Sequence, residues 1–329
     1  MATVKINFRP STVDGGHGTI FYQMTHHRIA HQQKIHLFSF MEDVIENLRI
    51  IGKIRTSETY ATTLCSFKRF RKDWDLTLDE MDSNMMMTYE AYLRENGVSS
   101  NSSSFYMRIL RAVYNRAVEK GLTSQKYPFK HVYTGIDKTV KRAVPLKVIK
   151  RIKEMDLSMN RSFDYARDMF LFSFYTRGMS FVDMAYLQKK DLQNGVLSYR
   201  RRKTGQQLII KWEKCMQEII NKYDTSHSKY LLPIIKPLSD IDERKQYIYT
   251  AHNINRCLKI IGKELGLSSS LTMYVARHAW ASIAKSKNVP LSVISEGMGH
   301  DSEATTRIYL ASLDTVAIDK ANSMILNSL

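Results

Sequence analysis

A basic segment near the middle of the chain interrupts its helical pattern. Residues 123–147 read TSQKYPFKHVYTGIDKTVKRAVPLK, and their apolar side chains do not recur every three or four positions. Pro128 and Pro145 lie within this segment and disfavour a continuous helix. Because 329 residues are more than one core usually organises, the segment predicts a linker between two folded domains. We place this linker at residues 126–144.

The part of the chain before the linker has the pattern of a helical domain. From Leu37 to about Glu119, apolar residues return every three or four positions in FSFMEDVIENLRIIGKI, TYATTLCSFKRFRKDW and FYMRILRAVYNRAVEKG. These runs predict three or four amphipathic helices in a domain at residues 37–125. We expect Ser57 and Thr59 to cap the second helix, and the serine-rich run 99–104 to cap the last.

Residues 1–36 have the pattern of a short β-hairpin. Lys5–Phe8 and Thr19–Thr25 alternate apolar and polar residues around a turn-rich Asp-Gly-Gly at positions 14–16. Four histidines follow, and neither a carboxylate nor a cysteine joins them at the spacing of metal ligands. We therefore favour a solvated or phosphate-contacting role for these histidines, which are His26, His27, His31 and His36.

The part of the chain after the linker, residues 145–329, combines helices with a small sheet. Helical patterns cover 145–157 and 161–176, and GVLSYRRRKTGQQLIIKW then reads as strand, turn and strand. The turn at residues 203–205 leaves the basic run Arg200 to Lys203 at the tip of this hairpin. Further helical patterns extend to the end, so the sequence predicts a mainly α fold with a small β-sheet.

The charge balance indicates a polyanionic partner. The chain has 49 Lys and Arg against 32 Asp and Glu, a formal net charge of +17, and nucleic acid is the commonest partner of such a field. Cys65, Cys215 and Cys257 lack the spacing of a disulfide framework or a zinc site. No apolar stretch is long enough to span a bilayer. We expect a cytoplasmic protein in the bacterial nucleoid, with no membrane association, metal or other cofactor.

Basic side chains cluster at three places that are candidates to contact DNA. Such clusters are often only a solvated face, but on so basic a chain a DNA-facing surface is at least as plausible. The candidates are Lys68, Arg69, Arg71 and Lys72 in one helical run, Arg108 and Arg111 in another, and Arg200, Arg201 and Arg202 in the hairpin.

Four short segments of the second half carry a resemblance to a known family. They are FYTRGMSFVDMAYL, RRRKTG, LTMYVARHAWASIA and MGHDSEATTRIYL. In this order and at these separations they resemble the catalytic domain of the tyrosine recombinases, or phage-type integrases, of the bacterial mobile-element or invertase type. The resemblance implies an α+β catalytic domain preceded by a helical, SAM-like core-binding domain. The N-terminal hairpin would then be a reduced arm-binding domain.

The resemblance also implies a role for each matching residue. Tyr309 would attack the scissile phosphate, forming a 3′-phosphotyrosyl bond and freeing a 5′-hydroxyl. Arg277 would bind a nonbridging phosphate oxygen, and His300 would donate a hydrogen bond to the same phosphate. Lys203, at the hairpin tip, would protonate the leaving 5′-oxygen. His278 would support the helix that carries Arg277.

Those residue types suit the chemistry of a phosphodiester. Its anionic oxygens repel a nucleophile and gain charge in the transition state, so cationic donors must be aimed at them in advance. Arginine does this best because its planar guanidinium donates two parallel hydrogen bonds. The phosphotyrosyl bond retains the energy of the broken bond, so rejoining needs no ATP.

The sequence departs from the family's pattern at two positions. Aligning Asp183 with the family's acidic residue puts Ser180 where the first catalytic arginine is usual. Arg177 lies one helical turn earlier, and we expect it to supply that arginine, with Ser180 and Asp183 as supporting residues. Tyr274 replaces the usual histidine of the arginine box; a phenol can donate a hydrogen bond but cannot become cationic near neutral pH.

The resemblance implies the partners as well. We expect double-stranded DNA with inverted half-sites, bound by a tetramer that is a monomer without DNA, and a DNA-bending accessory protein as a further partner. Integration, excision and inversion remain open as outcomes. Two other functions also remain open: a DNA-binding protein that has lost catalysis, suggested by Ser180 and Tyr274, and a type IB topoisomerase.

Overall fold

The chain forms two compact units, Met1–Lys138 and Thr139–Leu329. The structure is a computed structural model that describes residues 2–9, 19–26, 34–137, 143–237, 239–310 and 326. For residues 2–9, 19–26, 308 and 309 it describes the backbone alone.

Within its described residues, the first unit begins with two paired β-strands and continues as four α-helices. Strands β1 (Ala2–Arg9) and β2 (Thr19–His26) pair antiparallel. The helices are α1 (Leu37–Ile50), α2 (Ile54–Arg71), α3 (Ser83–Glu95) and α4 (Ser100–Glu119). Phe67, Tyr89, Met107 and Tyr114 lie fully buried among them. The hairpin and the helices agree with the sequence prediction; the turn at 14–16, His27 and His31 lie outside the described residues.

The capping prediction for the second helix was wrong, whereas that for the fourth is confirmed. Helix α2 begins at Ile54, earlier than expected, and the Ser57 hydroxyl donates to the Ile54 carbonyl from inside the first turn. Thr59 likewise donates back to the Thr56 carbonyl, so neither side chain caps an amide. Ser99 is the N-cap residue of α4, and its hydroxyl accepts from the Ser102 amide.

Much of the segment predicted as a linker packs onto the first unit. Phe129 and Val132 are buried in its hydrophobic core, although the segment has no helical periodicity. The Ser104 hydroxyl donates to the Gly135 carbonyl, and Asn101 and Asp137 exchange two hydrogen bonds. Residues 138–142 lie outside the described residues.

The second unit consists of eight helices within its described residues and one three-stranded sheet. The helices are α5 (Leu146–Glu154), α6 (Arg161–Tyr175), α7 (Phe181–Ala185), α8 (Lys214–Asn221), α9 (Glu243–Glu264), α10 (Met273–Ser286), α11 (Leu291–Gly297) and α12 (Glu303–Leu310). Helix α10 packs against α6 and α9. Its small residues Ala276 and Ala279 are fully buried, and this lets the helices approach closely.

The sheet is antiparallel, with strand order β3 (Leu192–Gln193), β4 (Val196–Arg200) and β5 (Gln207–Lys211). Leu197 pairs with Ile210 and Tyr199 with Leu208, and these four residues are buried. The intervening residues of β4 face the other side, as expected for a half-buried strand. The mainly α architecture with a small sheet is the predicted one.

Candidate active site

A buried arginine on helix α10 lies at the centre of the site. Arg277 is 4% exposed, and its Nη1 donates to the Gly178 carbonyl at 2.7 Å. Its Nη2 donates to the Met298 carbonyl at 2.6 Å and lies 2.9 Å from His300 Nε2. A buried guanidinium held at several points has a fixed orientation, so its charge is preorganised for an anionic ligand.

The close approach of Arg277 depends on a glycine that the sequence pattern does not single out. Gly178 has φ +74°, and a Cβ atom there would lie 2.7 Å from the Arg277 Cα. Any other residue would therefore push α10 away or change the turn after α6. This turn is what places the Gly178 carbonyl against the Arg277 guanidinium.

His300 lies in the turn between α11 and α12 and is 7% exposed. Because an arginine only donates, the contact with Arg277 makes His300 Nε2 the acceptor, and Nδ1–H then donates to the Thr306 hydroxyl at 2.8 Å. Burial is the main cause that lowers the pKa of His300 from 6.5 to about 4. The positive charges of Arg277, Arg201 and Lys203 act in the same direction. His300 is thus neutral near pH 7.

Thr306 is a member of this cluster that sequence reasoning missed. It is fully buried in the first turns of α12, where it accepts the hydrogen bond from His300. The threonines at 305–306 lie in one of the four segments that carry the family resemblance. Their spacing from His300 is the sequence signal that could have identified this contact. Through this bond the helix that carries Tyr309 is attached to the turn that carries His300.

The backbone of Tyr309 lies in α12, three residues after Thr306. Its side chain is outside the described part of the structure. Leu310 beside it is buried in a small cluster with Ala281, Ile294 and Met298, which anchors the end of α12 on α10 and α11.

Arg201 is buried, although the sequence placed it with the exposed basic tip of the hairpin. It is 6% exposed, and its Nη1 donates to the Gly299 carbonyl. The hairpin connection is longer than a three-residue turn, since Arg201 N donates to the Gln206 carbonyl and Gly205 N to the Arg201 carbonyl. Arg201 therefore continues the inward-facing alternation of Leu197 and Tyr199, a period-two signal that was present in the sequence.

The other hairpin cations are exposed. Arg200 donates to the Gly205 carbonyl, and the Arg202 guanidinium lies 4.1 Å from the centre of the Tyr186 ring. Lys203 is exposed in the turn and contributes positive charge at His300. An exposed turn gives a lysine the mobility that general acid work requires.

Ser180 and Asp183 are joined by two hydrogen bonds at the start of α7. The Ser180 hydroxyl donates to Asp183 Oδ2 at 2.6 Å and accepts from the Asp183 amide. Asp183 Oδ1 accepts from the Arg202 amide at 2.9 Å, which ties α7 to the hairpin. Both side chains are therefore occupied in holding the elements around the site.

Arg177 and Tyr274, the two residues expected to compensate for the family departures, lie at the edge of the cluster. Arg177 follows α6 with φ +61°, an uncommon conformation for a residue other than glycine, and its Cδ approaches Gly297. Tyr274 is 56% exposed on α10, and its ring packs in a T-shaped arrangement with that of His278, with 4.6 Å between the ring centroids. His278 itself is buried, one residue after Arg277.

The basic residues expected to face DNA in the first unit differ in their surroundings. Lys68 pairs with Glu42 at 2.6 Å and lies over the Phe38 ring, so part of its charge is neutralised. Arg71 donates to the Trp74 carbonyl, and Lys72 ends α2 with φ +53°. In α4, Arg108 donates to the Ser104 carbonyl and Arg111 to Thr134; Arg69 is exposed.

Two further features concern only the described residues. Among them, no three His, Cys, Asp or Glu side chains come together in a way that could hold a metal ion. Of the helices described, none combines the length and the apolar character needed to cross a membrane.

Comparison with known proteins assigns the family. Residues 146–315, which include every member of the cluster around Arg277, match the family model described as the phage integrase family. The chain belongs to this family. Residues 36–132 match the phage integrase SAM-like domain. The chain is a tyrosine recombinase, an enzyme of site-specific recombination that breaks and rejoins DNA.

Two curated relatives are tyrosine recombinases of similar extent. The recombinase is 25% identical over 235 residues to tyrosine recombinase XerA of Thermococcus kodakarensis, covering 70% of this chain and 77% of XerA. It is 25% identical over 276 residues to tyrosine recombinase XerC of Treponema denticola, covering 77% of this chain and 87% of XerC.

Solved structures show the same fold. The recombinase matches a lambda integrase dimer bound to a COC′ core site with a TM-score of 0.66 at 16% identity, covering 88% of this chain and 82% of that one. It matches the XerH site-specific recombinase bound to a palindromic difH substrate with a TM-score of 0.62 at 18% identity, covering 87% and 84%.

Proposed function

We propose that the recombinase cleaves DNA with Tyr309 in a pocket built around Arg277. The observation that carries this proposal is the fixed, buried Arg277 guanidinium, bonded to the same turn that supports α12 through His300 and Thr306. Helix α12 carries Tyr309, so the nucleophile and the preorganised cation belong to one connected assembly.

In the proposed reaction the Tyr309 oxygen passes its proton to solvent and bonds to phosphorus, and the bond from phosphorus to the 5′-oxygen breaks. Lys203 delivers a proton to that leaving oxygen. Arg277 neutralises charge on a nonbridging oxygen, and Arg177 and Tyr274 add donors from the pocket edge. Attack of a second 5′-hydroxyl on the phosphotyrosyl bond reverses these changes and rejoins the strand.

His300 has a more specific role in this proposal than the family resemblance implied. In the described arrangement its Nε2 accepts from Arg277, and a neutral imidazole in this tautomer cannot also donate from Nε2 to a phosphate. We propose that His300 orients Arg277 before DNA binds. A direct bond from His300 to the phosphate requires the tautomer to change when the phosphate arrives.

The proposed partner is double-stranded DNA with inverted half-sites. The net charge of +17 supports this, because each phosphate neutralised releases counterions. The structural neighbours include a lambda integrase dimer on a core site and a lambda integrase tetramer on a Holliday junction. We propose that this recombinase likewise assembles as a tetramer on DNA, and that it acts in the nucleoid with a DNA-bending accessory protein.

We also propose a contact that links the subunits of this assembly. Residues 316–326, VAIDKANSMIL, have an amphipathic helical pattern in the sequence, and residues 316–325 lie outside the described residues. An apolar groove of about 520 Å³ lined by Val289, Leu291 and Ile294 lies between α10, α11 and α12, with Lys285 and Arg307 at its rim. We propose that this groove receives the tail of a neighbouring subunit.

The test of the proposed nucleophile is a suicide substrate nicked beside the cleavage site, so that the cleaved strand cannot be rejoined. Its sequence comes from recombination junctions sequenced from cells that express the wild type. The wild type should accumulate a covalent protein–DNA adduct, whereas Tyr309→Phe should bind the site and form none. Normal adduct formation by Tyr309→Phe would refute the nucleophile. Binding without any adduct in the wild type would indicate a protein that has lost catalysis.

A further inference from the structure

The two departures from the family pattern, Ser180 and Tyr274, remove positive charge from the site. Arg201 lies where it could replace that charge. Ser180 stands where the first arginine is usual, and its hydroxyl is held by Asp183. Ser180 carries no charge, so the positive charge usual at its position would have to come from other residues. The strand alternation that makes Leu197 and Tyr199 inward-facing directs Arg201 inward as well.

Arg201 and Arg277 bind consecutive carbonyl groups of one turn. Arg277 donates to the Met298 carbonyl, and Arg201 donates to the next one, that of Gly299. The packing is close: a Cβ atom on Gly299 would lie 3.2 Å from the Arg201 Cδ. One guanidinium reaches this turn from the residue that follows β4 and the other from α10, and together they place two fixed positive charges around His300.

The electrostatic surroundings of two other residues support the same arrangement. Arg277 and Arg201 are both among the positive charges that act with burial to lower the pKa of His300. Burial raises the pKa of the Tyr199 phenol, and the charges of Arg277, Arg201 and Arg177 oppose that rise. The three arginines therefore surround one small region of the second unit.

Arg201 also retains an unused donor. Its Nε–H is buried and has no hydrogen-bond partner among the residues that the structure describes. A buried donor left without an acceptor costs about 1–3 kcal/mol. A charged donor is retained at such cost where a ligand supplies the acceptor, and an anionic phosphate oxygen is the strongest acceptor that DNA offers.

We infer that Arg201 is a third arginine of the active site, which donates to a nonbridging oxygen of the scissile phosphate and supplies the charge that Ser180 lacks. This inference rests on the proposed function, since it assigns a further contact to the same phosphate. It separates Arg201 from Arg200 and Arg202, whose side chains are exposed.

The test is a double-mutant cycle between Arg201 and the charge of the scissile phosphate. The background is Tyr309→Phe, in which binding is measured without cleavage. The DNA site carries either a normal scissile phosphate or a methylphosphonate, which replaces one nonbridging oxygen with methyl and removes the negative charge. Arg201→Gln retains an N–H donor for the Gly299 carbonyl but not the charge, and thermal unfolding monitors its folding.

We expect the methylphosphonate to weaken binding when Arg201 is present, and to weaken it roughly tenfold less in Arg201→Gln. Arg151→Ala is the matched control, because Arg151 also donates to one backbone carbonyl, that of Leu265, at a distance from the pocket. It should leave the phosphate effect unchanged. With Tyr309 present, Arg201→Gln should slow adduct formation by roughly 10²–10³-fold.

The possible results separate the inference from the proposed function. If the methylphosphonate weakens binding equally with and without Arg201, then Arg201 does not contact the phosphate and the inference is wrong. Arg201→Gln could instead slow adduct formation while the methylphosphonate effect stays the same with and without Arg201. Arg201 would then only position the Gly299 turn, and this result would also overturn the inference. Failure of the wild type itself to form an adduct would instead count against the proposed function.

Discussion

Arg277 and Tyr274 differ in how much each can contribute to catalysis in the pocket. Arg277 combines charge, bidentate geometry and fixed orientation, whereas Tyr274 is 56% exposed and can offer one neutral donor. A fixed cation at the developing charge lowers the barrier more than an exposed neutral donor does. The two residues should therefore differ in the size of the defect when each is removed.

We expect Arg277→Ala to slow adduct formation on the suicide substrate by roughly 10²–10³-fold, and Tyr274→Phe to slow it by less than about tenfold. Single-turnover cleavage measures both, with site binding followed separately. Arg277→Lys should be nearly as slow as the alanine variant, because an ammonium cannot reproduce the planar fork. A rate within about threefold of wild type for Arg277→Ala would contradict its central position.

The titration of His300 makes the stability of the second unit depend on pH. Its pKa in the folded state, about 4, lies below the ordinary value of 6.5. The unfolded chain therefore takes up the proton first as the pH falls. The stability contributed by neutral His300 is present above pH 6.5 and is lost progressively between 6.5 and about 4.

His300→Gln should accordingly lose less stability than the wild type as the pH falls from about 7 to about 5. Denaturant unfolding at a series of pH values measures this difference. His252→Gln, at an exposed histidine of α9, is the matched control and should follow the wild type. Parallel curves for His300→Gln and the wild type would show that the His300 proton is not linked to folding.

At the level of elements, the site depends on the contact between the turn after α6 and helix α10. Gly178 makes that contact possible because it has φ +74° and no Cβ atom to meet the Arg277 backbone. Gly195, between β3 and β4, has a similar φ of +72°, but a Cβ atom there would meet no other atom within 4 Å. Comparing alanine substitutions at these two glycines therefore separates the effect of a positive φ from the effect of the steric contact.

We expect Gly178→Ala to lower the unfolding free energy by roughly 2–4 kcal/mol, and Gly195→Ala by about 1 kcal/mol. Gly178→Ala should also slow adduct formation, because α10 can relieve the contact only by moving Arg277. Chemical denaturation and single-turnover cleavage measure the two effects. Equal stability of the two variants would mean that the close approach contributes nothing.

At the level of the whole molecule, recombination requires subunits to exchange strands in pairs. We expect the apolar groove beside α12 to receive the segment 316–326, whose sequence has an amphipathic helical pattern. We expect the basic residues of the first unit and of the β4–β5 hairpin to contact DNA. Removal of the C-terminal tail should therefore separate DNA binding from contact between subunits.

Deletion of residues 311–329 should abolish paired strand exchange while leaving half-site binding within about threefold of the full chain. Gel shift on a half-site and junction formation on a full site measure the two activities. Val289→Asp, in the groove, should cause the same defect with the tail intact, because it places a charge against an apolar partner. Loss of half-site binding by the truncated protein would count against docking of the tail.

The sequence alone predicted the architecture, and the family resemblance supplied the candidate residues of the pocket. Helical periodicity and strand alternation are local properties, and they predicted a domain of three or four helices in the first unit and the hairpin β4–β5. The motifs around Arg277, His300 and Tyr309 were readable because the family retains residue types at constant separations.

Only the tertiary structure decided how these residues act together. Close packing of distant segments requires a glycine at position 178 and makes Thr306 the partner of His300. The same packing sets the tautomer of His300 through its contact with Arg277. Burial also separates Arg201 from its exposed neighbours in one basic run. These properties depend on which atoms meet across the fold, and no local pattern specifies that.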